Sequence, residues 1–201
     1  MMTTKQQKIS FSDLEFHSEP FDYFTMSKAF EEEDSRVILD WMETSAPWKL
    51  VEADFYTQYE FDLKDASLPE ELAFLSRRNF LNYLIERFGK LFSQKLSDHV
   101  DITAHKLIKG HTIRLHNDFI PNQETHRLLI QFNNDWRDEN GGFLLFFRSS
   151  DPKDIERIIR PIHNSSVGFA ISPKSNHAVT TIHDGERYTL VYSFYEAGSV
   201  G

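Results

Sequence analysis

From about residue 100 onward the chain is written almost entirely as short strands, and nothing else in the sequence constrains the fold as much. Apolar and polar residues alternate, or apolar residues run together, over 102–108, 112–118, 126–133, 143–148, 157–162, 166–172, 177–182 and 187–195. Asn, Gly, Asp and Pro punctuate these runs. Strands this short each bury little, so they must share a core, and two facing sheets are the economical way to do so. The expected fold is mainly β with flanking helices, a jelly-roll or cupin-like barrel of two sheets.

The first half is expected to buttress that barrel. Residues 28 to 45 carry Ala29, Phe30, Val37, Ile38, Trp41 and Met42 at helical spacing, and Pro47 stops the run. LVEADFYTQYEFDL follows with a period of two, which predicts one strand whose aromatic face walls a pocket or packs in the sheet. Ser67-x-x-Glu70 with Pro69 reads as a capping box opening a helix to about residue 96. Its buried face would be Leu72, Leu75, Leu84, Ile85, Phe88, Leu91 and Phe92. No linker divides the chain. One domain over 1–201 is expected, with about 1–98 as support and about 99–195 as core.

Composition narrows the chemistry. The net charge of −9 repels phosphate backbones, so nucleic acid is not an expected partner. There are no cysteines, which excludes disulfides and thiolate metal sites and leaves His, Asp and Glu as ligands. MMTTKQQKIS has no apolar signal-peptide region, and no apolar run approaches the ~18 residues of a membrane helix. A soluble, cytoplasmic protein with no membrane partner is expected. The loose ends would be roughly the first ten residues and the GSVG tail. Oligomeric state is not written in the sequence.

Three tripeptides join His to an acid at i+2: His17-x-Glu19, His99-x-Asp101 and His116-x-Asp118. With nine histidines, on the order of one such motif arises by chance, so the motif alone decides little. In a period-2 strand Thr112, Arg114, His116 and Asp118 share a face, and the last two can reach one ion. On a sandwich the same face would be solvent polarity. A second constellation lies downstream: His177 after the turn at Pro173, then a strand opening at Arg187. Arg187, Thr189, Val191 and Ser193 fall on one side of that strand, and Tyr188, Leu190, Tyr192 and Phe194 on the other. A guanidinium fork with a hydroxyl beside it suits a carboxylate. Two histidines and one carboxylate form the facial triad of non-haem Fe(II) oxygenases, with an open face on the metal. The same three ligands also bind zinc.

These residues resemble the Fe(II)/2-oxoglutarate-dependent dioxygenase superfamily, and within it the prolyl-4-hydroxylase-like branch. The likeness covers about residues 104 to 195. It rests on Gly110 six residues before His116, His116-x-Asp118, RLLIQFNNDW, GGFLLFF with Gly141 and Gly142, VGFAI, His177, and Arg187 ten residues later. The resemblance implies a double-stranded β-helix with Fe(II) on His116, Asp118 and His177 as the catalytic centre. It further implies 2-oxoglutarate as cosubstrate on Arg187 and Thr189, O2 as oxidant, and ascorbate as a candidate reductant. C–H hydroxylation of an amino-acid side chain, in a peptide, a protein or a small molecule, is the implied outcome. Arg114, His126, Arg127 and Trp136 are candidates for binding the substrate. Two positions depart from the pattern. Leu107 stands where family members often carry a cosubstrate-binding Tyr, with Tyr56, Tyr59 and Arg127 as candidate replacements. Arg187 stands where the prolyl-hydroxylase branch often has Lys. A non-oxidative zinc enzyme and a degenerate metal-binding module are the alternatives. His99 and Asp101 with His163 form a rival ligand set, although His99 is also explained by the end of the preceding helix.

Overall fold

The computed structural model describes residues 9–198. It has a large antiparallel sheet of eight strands in the order β1-β2-β10-β7-β12-β5-β4-β3, and a small sheet in the order β6-β11-β8-β9. The small sheet comprises β6 (Ile113–His116), β8 (Leu144–Phe147), β9 (Ile155–Ile159) and β11 (His177–Val179). The large one comprises β1 (Glu15–His17), β2 (Tyr23–Met26), β3 (Lys49–Glu52), β4 (Thr57–Asp62), β5 (Leu96–Leu107), β7 (His126–Gln131), β10 (Ser166–Ala170) and β12 (Arg187–Glu196). This is the two-sheet, jelly-roll-like arrangement expected from the strand pattern, and it agrees with the double-stranded β-helix that the resemblance implied. All eight expected strands are present, and β1 and β2 are additions that the sequence reading did not foresee.

Two helices, α1 (Glu32–Thr44) and α2 (Arg78–Leu91), cover the outer face of the large sheet. Alternation along β12 explains why two environments coexist there. Tyr188, Leu190, Tyr192 and Phe194 are buried in the same core as Ile38, Trp41, Leu84 and Phe88 from the helices. A second core, with Leu107, Leu144, Phe146, Val167, Phe169 and Val179, lies between the sheets. Gly168 on β10 lets Phe24 close over the strand: a Cβ there would sit 2.3 Å from the Phe24 ring. At ~25 cal/mol per Å², burying one such aromatic side chain stabilises by roughly 2–3 kcal/mol.

Several expectations for the support half and its junction with the core are corrected. The single strand over 50–63 is a hairpin: β3 pairs with β4, Leu50 opposite Tyr59, around a loop at 53–56. Alternation runs on through that loop, so periodicity hides the reversal. The face of β4 towards the second sheet is the polar one, Gln58, Glu60 and Asp62, whereas Phe61 packs under the helices. The helix expected from the capping box is broken. Residues Glu70–Ser76 form a 3-10 helix entered at Pro69, with no side-chain cap, and α2 starts only at Arg78. Ile85, Leu91 and Phe92 are only partly buried. His99 lies within β5, not at a helix end.

Ile9 is already buried and Ser10 donates to the Ala29 carbonyl, so the amino-terminal support begins earlier than expected. The expectations for residues 1–8 and for the end of the GSVG tail lie outside the described residues. No helix among the described residues is long and apolar enough to cross a membrane.

Candidate metal and cosubstrate site

A cavity of about 500 Å³ opens between the two sheets. Its walls come from β12 (Arg187, Thr189, Val191, Ser193), β5 (Asp101, Thr103, His105), β4 (Gln58, Glu60, Asp62) and the small sheet. The polar side of a period-2 strand is therefore an interior surface here, lined for a ligand.

His116 and His177 stand directly opposite each other on β6 and β11, and Asp118 follows β6. Asp118 Oδ1 lies 3.2 Å from His116 Nε2, and Asp118 Oδ2 lies 3.1 Å from His177 Nε2. The three donor atoms fall within 4.8 Å of one another, the one group of this kind among the described residues. Each histidine is oriented from behind. His116 Nδ1 pairs with the Arg114 carbonyl and His177 Nδ1 with the Ser175 carbonyl, both at 2.7 Å, which directs each Nε2 inward. Asp118 takes a left-handed backbone (φ 58°), a conformation Asp tolerates better than most residues. The turn before His177 braces this loop: Ser175 Oγ donates to the Asn117 carbonyl at 2.9 Å.

Arg127 completes the cluster. Its guanidinium donates to Asp118 Oδ2 at 2.5 Å and also to Glu124. Burial alone would raise the Asp118 carboxyl. The Arg127 charge and the hydrogen bonds from both histidines outweigh that and hold it well below the usual carboxylate range. Burial lowers His177, partly offset by Asp118, so its ring favours the neutral form a metal needs. Two imidazoles and an ionised carboxylate with an open side are a donor set that fits a divalent iron.

Arg187 lies deeper, buried at the start of β12. Among the described residues its one hydrogen bond is from Nη1 to Thr189 Oγ1 at 2.9 Å, and its Nε is buried without a partner there. No carboxylate pairs with it among the described residues, and burial pushes the guanidinium down to about 10. A buried, unpaired guanidinium is costly, and an anionic ligand is the natural remedy. Gly142 makes room for it. A Cβ there would lie 3.1 Å from Arg187 Cδ and 2.6 Å from Ile182 Cδ1, and its φ of +70° favours glycine.

The other sequence candidates separate. Tyr56 lines the cavity, as does Phe55, whose ring centre is 4.5 Å from that of His116. Tyr59 is turned away and stacks on His111. Leu107 is buried opposite Arg187 in the β5–β12 ladder. Arg114 does not share the ligand face. A bulge sets His177 and Val179 against His116 and Ile113, so one extra residue sits in β6. Ile113 therefore faces the cavity and Arg114 is exposed. His126 points to the helix side, buried with its ring 4.8 Å from Phe92. Trp136 packs in a loop, donating to the Gly141 carbonyl at 2.9 Å. The rival set is not assembled: His99 pairs with Asp101, but His163 bonds to Ser35 instead.

Sequence reading passed over Gln58, Glu60, Glu124 and Gln131. Gln131 Oε1 accepts from Thr189 Oγ1 at 3.0 Å and so fixes the hydroxyl next to Arg187. It did not single out His105 either. That ring lines the cavity, and burial, with Arg127 and Arg187 nearby, lowers it to about 3, so it stays neutral. The available signal was register: His105 and Gln131 stand directly opposite Thr189 on either side.

Comparison with known proteins agrees with this geometry. Residues 102–194 match the family model of the 2OG-Fe(II) oxygenase superfamily. No curated protein matches the sequence. Among solved structures, a Pseudomonas putida prolyl-4-hydroxylase superposes with a TM-score of 0.71 at 15% identity, covering 88% of this chain and 93% of that one. A Trichoplax adhaerens prolyl hydroxylase, solved with a hypoxia inducible factor oxygen degradation domain peptide fragment, gives 0.73 at 14%, covering 88% and 84%. A Burkholderia pseudomallei oxidoreductase of the 2OG-Fe(II) oxygenase family gives 0.63 at 17%, covering 89% and 88%. At these identities the superpositions speak to the fold, which is that of the prolyl hydroxylases. Residues 102–194, which carry most of the cavity-lining strands, are thus similar to the 2OG-Fe(II) oxygenase superfamily, on a fold like that of the prolyl-4-hydroxylases.

Proposed function

We propose that the chain is an Fe(II)/2-oxoglutarate-dependent hydroxylase working as one domain, with an amino-acid side chain as substrate. When bound, the iron and 2-oxoglutarate supply oxidative decarboxylation by O2, giving succinate and CO2, coupled to insertion of one oxygen into a substrate C–H bond. His116, Asp118 and His177 would hold the metal. Arg127 keeps Asp118 ionised and fixes the rotation of its carboxylate. Arg187, with the Thr189 hydroxyl that Gln131 orients, would hold the distal carboxylate of the cosubstrate. Phe55, Leu129, Val179 and Phe169 contribute apolar wall, which excludes water from the reacting centre.

The observation that carries this reading is the buried Arg187, unpaired by any carboxylate, in the same cavity as the His/Asp/His cluster. A zinc enzyme without a dicarboxylate cosubstrate gains nothing from such a group. The test is titration of 2-oxoglutarate into Mn(II)-loaded protein, followed by succinate release with Fe(II) in air. Binding is expected in wild type, lost with the metal in His116→Ala, and weakened with the metal retained in Arg187→Met. No affinity of the wild-type metal complex for 2-oxoglutarate would refute the proposal.

A further inference from the structure

Five carboxylates line the cavity: Glu60, Asp62, Asp101, Asp118 and Glu124. The lining cations are Lys64, Arg127 and Arg187. Two of these are committed elsewhere. Arg127 is shared between Asp118 and Glu124, and Arg187 lies deep, hydrogen-bonded among the described residues only to Thr189. In the loaded site the formal charges of a divalent metal, Asp118, Arg187 and a dianionic cosubstrate cancel. What remains along the outer wall is Glu60, Asp62 and Asp101 against Lys64. Lys64 pairs with Asp62 at 2.8 Å, and its side chain is 72% exposed, so it neutralises the rim weakly.

A second observation points to a donor-bearing ligand. Gln58 is 3% exposed, lines the same cavity, and donates from Nε2 to Glu60 Oε2 at 2.6 Å. That bond fixes which end of the amide is which. Its Oε1 is then buried with no hydrogen-bond donor, an acceptor left unsatisfied beside a carboxylate. Both groups ask for N–H. Asp101 accepts from the Tyr195 hydroxyl at 2.5 Å and faces His99; among the described residues no Lys or Arg forms a close ion pair with it, and Lys64 acts on it only at longer range. Aromatic faces complete the wall, from Phe55, Tyr56 and Tyr195. Burial, then Glu60 and Asp118, raise the Tyr56 phenol, so it presents a neutral ring. Carboxylates interleaved with aromatic rings suit an organic cation, which gains Coulomb attraction and cation–π contact together.

We infer that the substrate of the proposed hydroxylation is cationic, an ammonium or guanidinium group held by Glu60, Asp101 and the Gln58 carbonyl while its carbon chain faces the metal. The inference deepens the hydroxylase reading and rests on it. It separates this chain from an enzyme selecting an uncharged proline ring. A lysine or arginine side chain in a peptide and a free cationic amino acid offer the same chemistry.

The test is equilibrium binding to the full chain loaded with Mn(II) and 2-oxoglutarate under anaerobic conditions. The probes are blocked Gly-Lys-Gly, Gly-Arg-Gly, Gly-norleucine-Gly and Gly-Pro-Gly peptides, and free lysine. A cationic peptide is expected to bind at least ~10-fold more tightly than the norleucine peptide at low salt, with the margin narrowing at high salt as charges are screened. Glu60→Gln, Asp101→Asn and Gln58→Leu should each reduce that margin several-fold. If a variant does not fold, the salt dependence in wild type decides. Tighter binding of free lysine than of the peptide keeps the cationic class and assigns it to a free amine. Equal or tighter binding of the norleucine or proline peptide, a margin that survives high salt, or no binding by any cationic probe overturns the inference. Failure of 2-oxoglutarate to bind is read in its own titration, and it sinks the hydroxylase reading without touching the charge preference.

Discussion

Replacing Arg187 by Met should make the ligand-free protein more stable and the cosubstrate almost unable to bind. The guanidinium is 3% exposed and burial pushes it down from its ordinary value to about 10. At about 1.4 kcal/mol per pKa unit, holding that charge in the cavity costs roughly 3 kcal/mol. Both values lie above pH 9, so the penalty is fully present, and constant, at any neutral pH. Methionine keeps most of the apolar stem and forfeits the bond to Thr189, worth about 1 kcal/mol. The net gain is about 2 kcal/mol, or a rise in Tm of roughly 4–8 °C for a chain of this size. Cosubstrate binding moves the other way. Losing a buried charge-paired hydrogen bond of ~3 kcal/mol weakens 2-oxoglutarate by about 100-fold or more. Differential scanning fluorimetry shows both effects in one experiment. Wild type should melt low without ligands and rise with Mn(II) and 2-oxoglutarate; Arg187→Met should start higher and gain only the metal's share. An apo variant that melts below wild type would show that the guanidinium is satisfied in the empty cavity. Equal protection of both proteins by 2-oxoglutarate would remove Arg187 from the anchor role.

Two further outcomes follow from the same groups. His126 is buried and held down to about 4, below its ordinary 6.5, so the unfolded chain takes up the proton first as pH falls. Stability should be complete above about pH 6.5 and decline by up to about 3 kcal/mol on the way to pH 4, and urea unfolding of His126→Leu should show a shallower slope over that window. Arg127→Met removes the partner of Asp118 Oδ2 and should weaken Mn(II) affinity by ~10- to 100-fold while the three ligands remain; unchanged affinity by titration would mean the histidines alone orient the carboxylate.

What the sequence disclosed and what it withheld divide by range of interaction. Strands such as 187–195 were legible because one side meets the helices and the other the cavity, which writes a period of two into the residues. His116, Asp118 and His177 were legible as a candidate set, since His116 and Asp118 sit two residues apart at the end of β6 and His177 opens the strand paired with it. The hairpin at 53–56 was not, because it reverses without Gly or Pro and keeps the alternation going. Arg114 was misassigned for a similar reason: a single bulge residue in β6 changes which neighbours share a face, and no local signal marks it. The capping box failed because Pro69 opened a 3-10 turn in which Ser67 makes no cap. The partners of Asp118 and the acids at the mouth were out of reach altogether. Glu60, Asp101 and Glu124 come from three segments that only the folded sheet brings to one wall.

The two faces of β12 tie chemistry to packing in a way that constrains how this protein can change. Its outward residues are clamped in the dry core, with the Tyr192 hydroxyl bonded to the Leu75 carbonyl at 3.0 Å and Phe194 stacked 4.4 Å from Phe88. A slip of one position would drive those rings into the cavity and Arg187 under the helices, so the aromatic packing acts as proofreading for the site. Substitutions at Tyr192 or Phe88, far from any ligand atom, should therefore surface first as lost cosubstrate recognition and only later as unfolding.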